Sequence, residues 1–204
     1  MSRLTGAKGR IVRRFGVNLF GNPKYDRLLD RKPQKPGKAP DKRRQAKTSD
    51  YGLQLAEKQK LRLMYGLTER RLRNVYRLAS RGRGATGEAM AEVLERSLSN
   101  VVYRAGFAVT RGQARQFVSH GHLRVNGKKV DIPSSLISPG DQISLAPDVS
   151  GGVSERAKAA AGNRPLPAWL AREGETVKVV GLPSIAATPP VADLQRVVEW
   201  YAKR

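Results

Sequence analysis

Apolar residues recur at helical spacing through the second quarter of the chain. After Ser49 and Asp50, residues suited to capping a helix, Leu53, Ala56, Lys60, Leu61 and Met64 fall near one face. Gly66 can end that helix. Thr68 opens a second, with Leu72, Val75, Tyr76 and Ala79 spaced i, i+3, i+4, i+7. Gly82-Arg83-Gly84 stops it, and Thr86 caps a third helix whose Met90, Val93, Leu94 and Leu98 are apolar. Three short helices in about fifty residues predict a small helical unit.

Residues 107–146 follow another pattern. Thr110-Arg111-Gly112-Gln113 has the form of a capping box, in which the threonine oxygen and the glutamine side chain exchange bonds with backbone amides. Ala114, Phe117 and Val118 give this helix its apolar stripe, and Gly121 suits the left-handed residue after it. In Leu123-Arg124-Val125-Asn126-Gly127-Lys128-Lys129-Val130 an Asn-Gly pair interrupts alternation, a strong hairpin signal. Pro139-Gly140-Asp141 forms another turn before the alternating strand Gln142–Leu145. The segment predicts a compact α+β module. Beyond it, Val153 to Ala161 is read as a short helix and Gly162 to Pro167 as a connector. Leu166, Trp169 and Leu170 can dock on a core, and Val191, Leu194, Val197, Val198 and Tyr201 mark a final amphipathic helix.

Charge changes this picture. The 204 residues hold 39 Lys/Arg against 17 Asp/Glu, a formal net charge of +22. Such an excess opposes compaction by self-repulsion and favours a polyanionic partner, nucleic acid or anionic membrane. Residues 1–50 carry 15 basic and 4 acidic residues, half the net charge in a quarter of the length. They also carry Pro23, Pro33, Pro36 and Pro40, so long helices are not expected there. The reading is an extended basic N-terminal arm that orders against a partner, with a solubilising tail as the plainer alternative. Absence of cysteine excludes disulfides and thiolate metal sites. The first fourteen residues have no long apolar run, which argues against a secretory signal, and no stretch approaches a membrane span.

Candidates for catalysis are few. The only histidines, His120 and His122, flank Gly121 without local acidic residues, so neither a metal nor a catalytic site is expected, and no cofactor. Their two readings are hydrogen bonding at the turn and contact with RNA. Arg81-Gly82-Arg83-Gly84 lacks the lysine and Ser/Thr of a Walker loop; it is a helix stop or a basic turn near phosphate. Arg70, Arg73, Arg77 and Arg81 recur every three to four residues, one helical face at about 5 Å intervals. Arg111 and Arg115 lie opposite the apolar stripe of their helix, and Arg124, Lys128 and Lys129 lie on or beside the hairpin. Cations on a helix and an adjoining turn suit folded RNA, read largely through phosphate, 2′-hydroxyl and shape. Tyr51, Tyr65 and Tyr76 either stack on bases or pack in the core.

The run from Leu94-Glu95-Arg96 through Asn100-Val101-Val102-Tyr103-Arg104-Ala105-Gly106-Phe107 and Thr110-Arg111-Gly112-Gln113-Ala114-Arg115 to His120-Gly121-His122, Val125-Asn126-Gly127-Lys128 and Pro139-Gly140-Asp141 resembles an RNA-binding motif. That motif is shared by pseudouridine synthases, tyrosyl-tRNA synthetases, RNA methyltransferases and a heat-shock protein. The flanks narrow the resemblance. Ser49-Asp50-Tyr51-Gly52-Leu53-Gln54-Leu55-Ala56-Glu57-Lys58-Gln59-Lys60-Leu61-Arg62, Tyr65-Gly66, Glu69-Arg70-Arg71-Leu72-Arg73-Asn74, Arg13-Arg14-Phe15-Gly16 and Val198-Glu199-Trp200-Tyr201 are similar to the bacterial small-subunit ribosomal protein family S four.

The resemblance implies an α+β fold: a discontinuous helical domain at 45–93 and 165–204, an inserted RNA-binding module with connector at 94–164, and the arm at 1–44. It implies a structural constituent of the small ribosomal subunit in the cytoplasm, a primary binder of the 5′ domain of 16S ribosomal RNA that helps nucleate assembly and influences accuracy. Implied neighbours are ribosomal proteins S five and S three and incoming messenger RNA; repression of its own messenger is a further implication. Stripes and resemblance together nominate as RNA-binding Arg10, Arg13, Arg14, Lys42, Arg43, Arg44, Lys47, Tyr51, Lys58, Arg62, Arg70, Arg73, Arg77, Arg81, Arg83, Arg111, Gln113, Arg115, His120, His122, Arg124, Asn126, Lys128 and Lys129. The chain departs from the family in lacking the arm's zinc-binding cysteines, in the shortened Pro36-Gly37-Lys38-Ala39-Pro40, and in Leu98-Ser99 where Leu-Asp is common; residues 147–190 match weakly.

Two other readings compete. An RNA-modifying enzyme using the module as an accessory needs a catalytic domain, for which the flanks leave little space. A polybasic membrane-surface protein needs a broad Trp/Phe/Leu helix face that these arginine stripes lack. Neither a membrane nor a homo-oligomer is expected as partner.

Overall fold

A computed structural model of the chain describes residues 6–37, 49–82, 84–147, 165–184 and 191–203. The chain divides into two compact units, residues 1–87 with 190–204, and residues 88–189.

In the first unit, α1 (Lys8–Phe15) and α2 (Pro23–Arg31) form a short helical pair. Asn22 caps α2, its Oδ1 accepting the Lys24 amide at 2.9 Å, and Pro23 takes the first helical position, where its missing amide costs nothing. Val12 and Leu19 are buried, and a side chain at Gly9 would meet Leu28 at 3.0 Å, so the pair is closely packed. The expectation of an extended arm is therefore corrected over residues 8–31: prolines limit helix length here but do not forbid helices. The two helices described within this arm have 8 and 9 residues. Lys42, Arg43, Arg44 and Lys47 lie outside the described residues, as do Arg83 and the expected helix from Val153 to Ala161.

The remaining elements of the unit are α3 (Asp50–Met64), α4 (Glu69–Ala79) and a C-terminal helix, α8 (Leu194–Ala202), against which both pack. Ser49 and Thr68 cap α3 and α4 as expected, accepting the amides of Gly52 and Arg71 at 3.3 Å each. Leu72, Val75 and Ala79 are buried on α4. On α3 the buried face differs from the apolar reading: it holds Gln54, Lys58, Leu61 and Met64, with Leu53 and Ala56 only half-buried. Each buried polar residue has a partner remote in sequence. Gln54 Nε2 donates to Glu199 at 2.8 Å, and Lys58 Nζ to Glu69 at 3.0 Å.

The chain passes into the second unit within α5 (Thr86–Glu95), which begins at Thr86 itself. There α6 (Leu98–Arg104) and α7 (Arg111–Ser119) pack together. The strands are β1 (Leu123–Val125), β2 (Lys128–Lys129), β3 (Gln142–Leu145), β4 (Leu170–Glu173) and β5 (Thr176–Val179). They form one antiparallel sheet in the order β2-β1-β3-β5-β4. Asn126 and Gly127, at φ 50° and 77°, make the expected tight turn, with Val125 opposite Lys128. Leu98, Val101, Val102 and Phe107 join Ala114, Val118, Leu123, Ile143, Val177 and Trp169 in a single core, with Leu166 partly buried against it. Each fully buried aliphatic side chain contributes roughly 1.5–3 kcal/mol.

The hairpin β4–β5 differs from the expected boundaries. Residues 165–204 are read above as part of the helical domain, yet 170–179 pair through β5 with β3 in the second unit, and only 190–204 return to the first. The architecture is α+β: a helical unit completed by a C-terminal helix and interrupted in sequence by an α+β unit.

Candidate nucleic-acid interface

On α4 the apolar residues face inward, so Arg70, Arg73 and Arg77 project from the exposed side. Among the described residues none of the three meets a carboxylate. Arg81 lies just past the helix end and is exposed. Arg10 and Arg14 are exposed on α1, Arg14 lying 5.7 Å from the Phe15 ring centroid. Arg13 is half-buried and tied down: its Nε donates to the Gln34 carbonyl at 3.0 Å and its Nη2 to Lys35 at 3.4 Å.

Three expected contacts in this unit have structural surroundings. Lys58 is only 5% exposed, paired with Glu69 and 5.0 Å from the Trp200 ring centroid, so it is not a surface cation. Arg62 is half-buried, its Nε without a hydrogen-bond partner among the described residues. Tyr51 is exposed yet lies 4.6 Å from Trp200, and Tyr76 stacks at 5.0 Å on Tyr201, so both rings serve to seat α8.

Glu69 is the electrostatic centre of that contact. Burial opposes its ionisation, but hydrogen bonds from Lys58 and Tyr201, with the charges of Lys58 and Arg62, outweigh burial and hold its carboxyl below the ordinary value. Tyr201 Oη donates to Glu69 at 2.9 Å; burial first, then this bond and the carboxylate charge, push its hydroxyl upward.

In the second unit a buried network organises the motif's arginines. Glu95 is 3% exposed, and its two oxygens accept Arg104 Nε and Nη2 at 2.9 Å each. Asn100 Nδ2 donates to Glu95 at 2.6 Å, while Asn100 Oδ1 accepts Arg111 Nε at 2.9 Å. The Arg111 guanidinium also lies 4.4 Å from the Tyr103 ring centroid. Arg111, half-buried at the start of α7, is thereby fixed in orientation, which lowers the entropy lost on gripping an anion. Arg115 is half-buried one turn along. Thr110 Oγ1 accepts the Gln113 amide at 3.2 Å, and Gln113 Oε1 accepts the Val109 amide at 2.9 Å, one residue earlier than a strict capping box. Gln113 is thus a capping side chain.

Asn126 likewise works locally. Its Nδ2 donates to Asp141 at 2.8 Å and its Oδ1 accepts the Gln142 amide at 2.9 Å; the other Asp141 oxygen accepts the Ser138 amide at 2.8 Å. These bonds join the hairpin turn to the Pro139-Gly140-Asp141 turn and present Lys128, exposed at the tip. His120 is exposed and His122 half-buried, their rings 5.7 Å apart, with Phe117 edge-on to His122 at 6.0 Å. Gly121 has φ +72°, and a Cβ there would meet the Lys129 side chain at 2.2 Å. Lys129 therefore runs over the C-terminal end of α7, where carbonyls favour a cation.

Among the described residues no three His, Cys, Asp or Glu side chains gather to hold a metal, and no helix is long and apolar enough to cross a membrane. Glu95, Asn100 and Arg104 were absent from the expected site because their roles depend on contacts no local pattern encodes; Asp141 serves the Pro139-Gly140 turn, as a turn aspartate is expected to. Lys178 was absent too, although alternation in Thr176–Val179 was there to find it.

Cation rows on a helix face, on a capped helix and on its adjoining hairpin are those of a nucleic-acid-binding protein, its α+β module inserted in sequence between the two parts of a helical unit. Residues 3–95 match the family profile described as the ribosomal protein S4/S9 N-terminal domain, and residues 96–143 match the S4 domain. Proteins called small ribosomal subunit protein uS4 are similar along the whole chain. That of Borreliella burgdorferi is 43% identical over 208 aligned residues, covering 100% of both chains. That of Treponema denticola is 45% identical over 200, covering 96% of each. The Borrelia hermsii protein is 43% identical over 208. The chain belongs to the uS4 family of small ribosomal subunit proteins, a structural and non-enzymatic family.

Proposed function

We propose that this chain is a primary binder of the 5′ domain of 16S ribosomal RNA, that it helps nucleate small-subunit assembly, and that it works at the ribosome in the cytoplasm. The observation that carries the reading is the exposed row Arg70, Arg73 and Arg77, unmatched by carboxylates among the described residues and held by a buried apolar stripe. Such a row is costly in an isolated protein of net charge +22 and is relieved by a phosphate ribbon. The fixed Arg111 and the hairpin cations Arg124, Lys128 and Lys129 supply the module's grip.

Ribosomal proteins S five and S three and incoming messenger RNA are the proposed neighbours, through which the chain influences accuracy; repression of its own messenger completes the reading. Titration of the intact chain with a 5′-domain transcript, against a 3′-domain transcript as competitor, tests the central assignment. Preference for the 5′ domain is expected; equal binding to both would refute it.

A further inference from the structure

The sheet of the second unit has two unlike faces. Leu123, Ile143, Val177, Val179 and Leu170 alternate onto the buried side. The pairing register puts Lys129 beside Arg124 and Arg124 beside Ser144 on the other side, with Gln142 beside Lys178 and Lys178 beside Ala171. Like charges directly opposite each other destabilise a strand pair, so Arg124 and Lys129 repel, offset in part where the Lys129 side chain runs over the C-terminal end of α7. Among the described residues none of Arg124, Lys129 and Lys178 forms an ion pair. Lys178 is half-exposed with Gln142 and Ala171 directly opposite it; Glu173, paired with Thr176, shares the face one diagonal step away but forms no ion pair with Lys178.

We propose that this outward sheet face, from Lys129 and Arg124 to Lys178 on β5, is an RNA-backbone contact surface continuous with the hairpin. The proposal rests on the RNA-binding reading above and extends it to a strand outside the residues matched by the S4 domain. Lys178 is two strands and one side-chain repeat from Arg124, about 12 Å away, so a short run of one sugar-phosphate strand can touch both. The intervening side chains, Ser144 and Gln142, offer hydroxyl and amide groups suited to phosphate and 2′-hydroxyl. No aromatic residue stands on this face of the strands, so bases are not stacked there and recognition is by charge and backbone shape. The Arg124–Lys129 repulsion is then relieved in the complex.

The test uses the intact chain and the 5′-domain transcript, measuring Kd as a function of salt. Lys178→Gln is expected to raise Kd several-fold at low salt and to flatten the log–log slope by roughly 0.7–0.9; Lys178→Arg restores both. Gln142→Glu, which places a carboxylate directly across from Lys178 at an exposed site, is expected to weaken binding as well. Because the chain has no cysteine, Lys178→Cys gives a unique thiol for a tethered iron chelate, which is expected to cut the bound transcript in one short patch. Unchanged affinity and slope in Lys178→Gln and Gln142→Glu, or a tether that cuts nothing, would overturn the proposal; the latter outcome with an acidic protein protecting position 178 would assign the face to that protein. Failure of the wild-type chain to bind the transcript would overturn the RNA-binding reading as well, whereas wild-type binding with indifferent variants removes the sheet face alone.

Discussion

Glu95 illustrates how one buried charge serves two ends. It neutralises Arg104 through both oxygens and, through Asn100, orients Arg111. Removing one partner from such a pair leaves the other charge buried and uncompensated, at a cost of about 3–5 kcal/mol. Glu95→Ala is therefore expected to destabilise the second unit by about that amount, read by denaturant unfolding; a loss under about 1 kcal/mol would contradict the network's role. Asn100→Ala is the milder change, costing about 1–3 kcal/mol and weakening RNA binding beyond its effect on stability. In the first unit, Glu69 ties stability to pH. Its carboxyl titrates lower in the folded chain than in the unfolded one. The stabilisation is thus present above the ordinary carboxylate pKa and is lost as pH falls through the lowered folded value. Thermal unfolding should show wild type more stable than Glu69→Gln near neutrality, with the gap closing on acidification; a gap independent of pH would refute this.

At the scale of elements, α4 separates stability from binding. Its inward residues hold the fold, and Arg73 and Arg77 face solvent. The double change Arg73→Ala with Arg77→Ala is expected to leave the unfolding temperature almost unchanged and to flatten the salt slope of RNA binding by roughly 1.5–2. A fall in stability with an unchanged slope would reverse that division. Helices and turns were largely legible in the sequence because their signals are local: the caps at Ser49, Thr68 and Thr110, the Asn126-Gly127 turn, and the apolar stripes of α4 and α7. The buried face of α3 was not. Gln54 and Lys58 read as solvent-facing until Glu199 and Glu69, the former 145 residues away, supply their partners. α1 and α2 were not legible from proline content, because a proline breaks a helix only in its interior and Pro23 sits at the first position, where a helix accepts it.

Across the whole molecule, the return of the chain at 190–204 completes the first unit. Trp200 and Tyr201 are buried in α8, meeting Tyr51, Lys58, Tyr76 and Glu69. Truncation before Val191 should therefore unfold the first unit while the core around Val101, Ile143 and Val177 persists, a loss of helical circular dichroism with a surviving second transition. The final helix was legible from its periodicity; β4–β5 was not, because short strands after a weakly patterned stretch gain their identity from pairing with β3. Candidate cations were visible as a set, but sorting exposed from committed ones required the fold: Lys58, Gln113 and Asn126 serve the protein's own architecture, whereas Arg73 and Lys128 face outward. The most direct measurement is the salt dependence of the intact chain's affinity for a 5′-domain ribosomal RNA transcript. Engagement of about six cations predicts a log–log slope of roughly −4 to −5, with tight binding at low salt. No binding at low ionic strength, or an affinity indifferent to salt, would contradict the account.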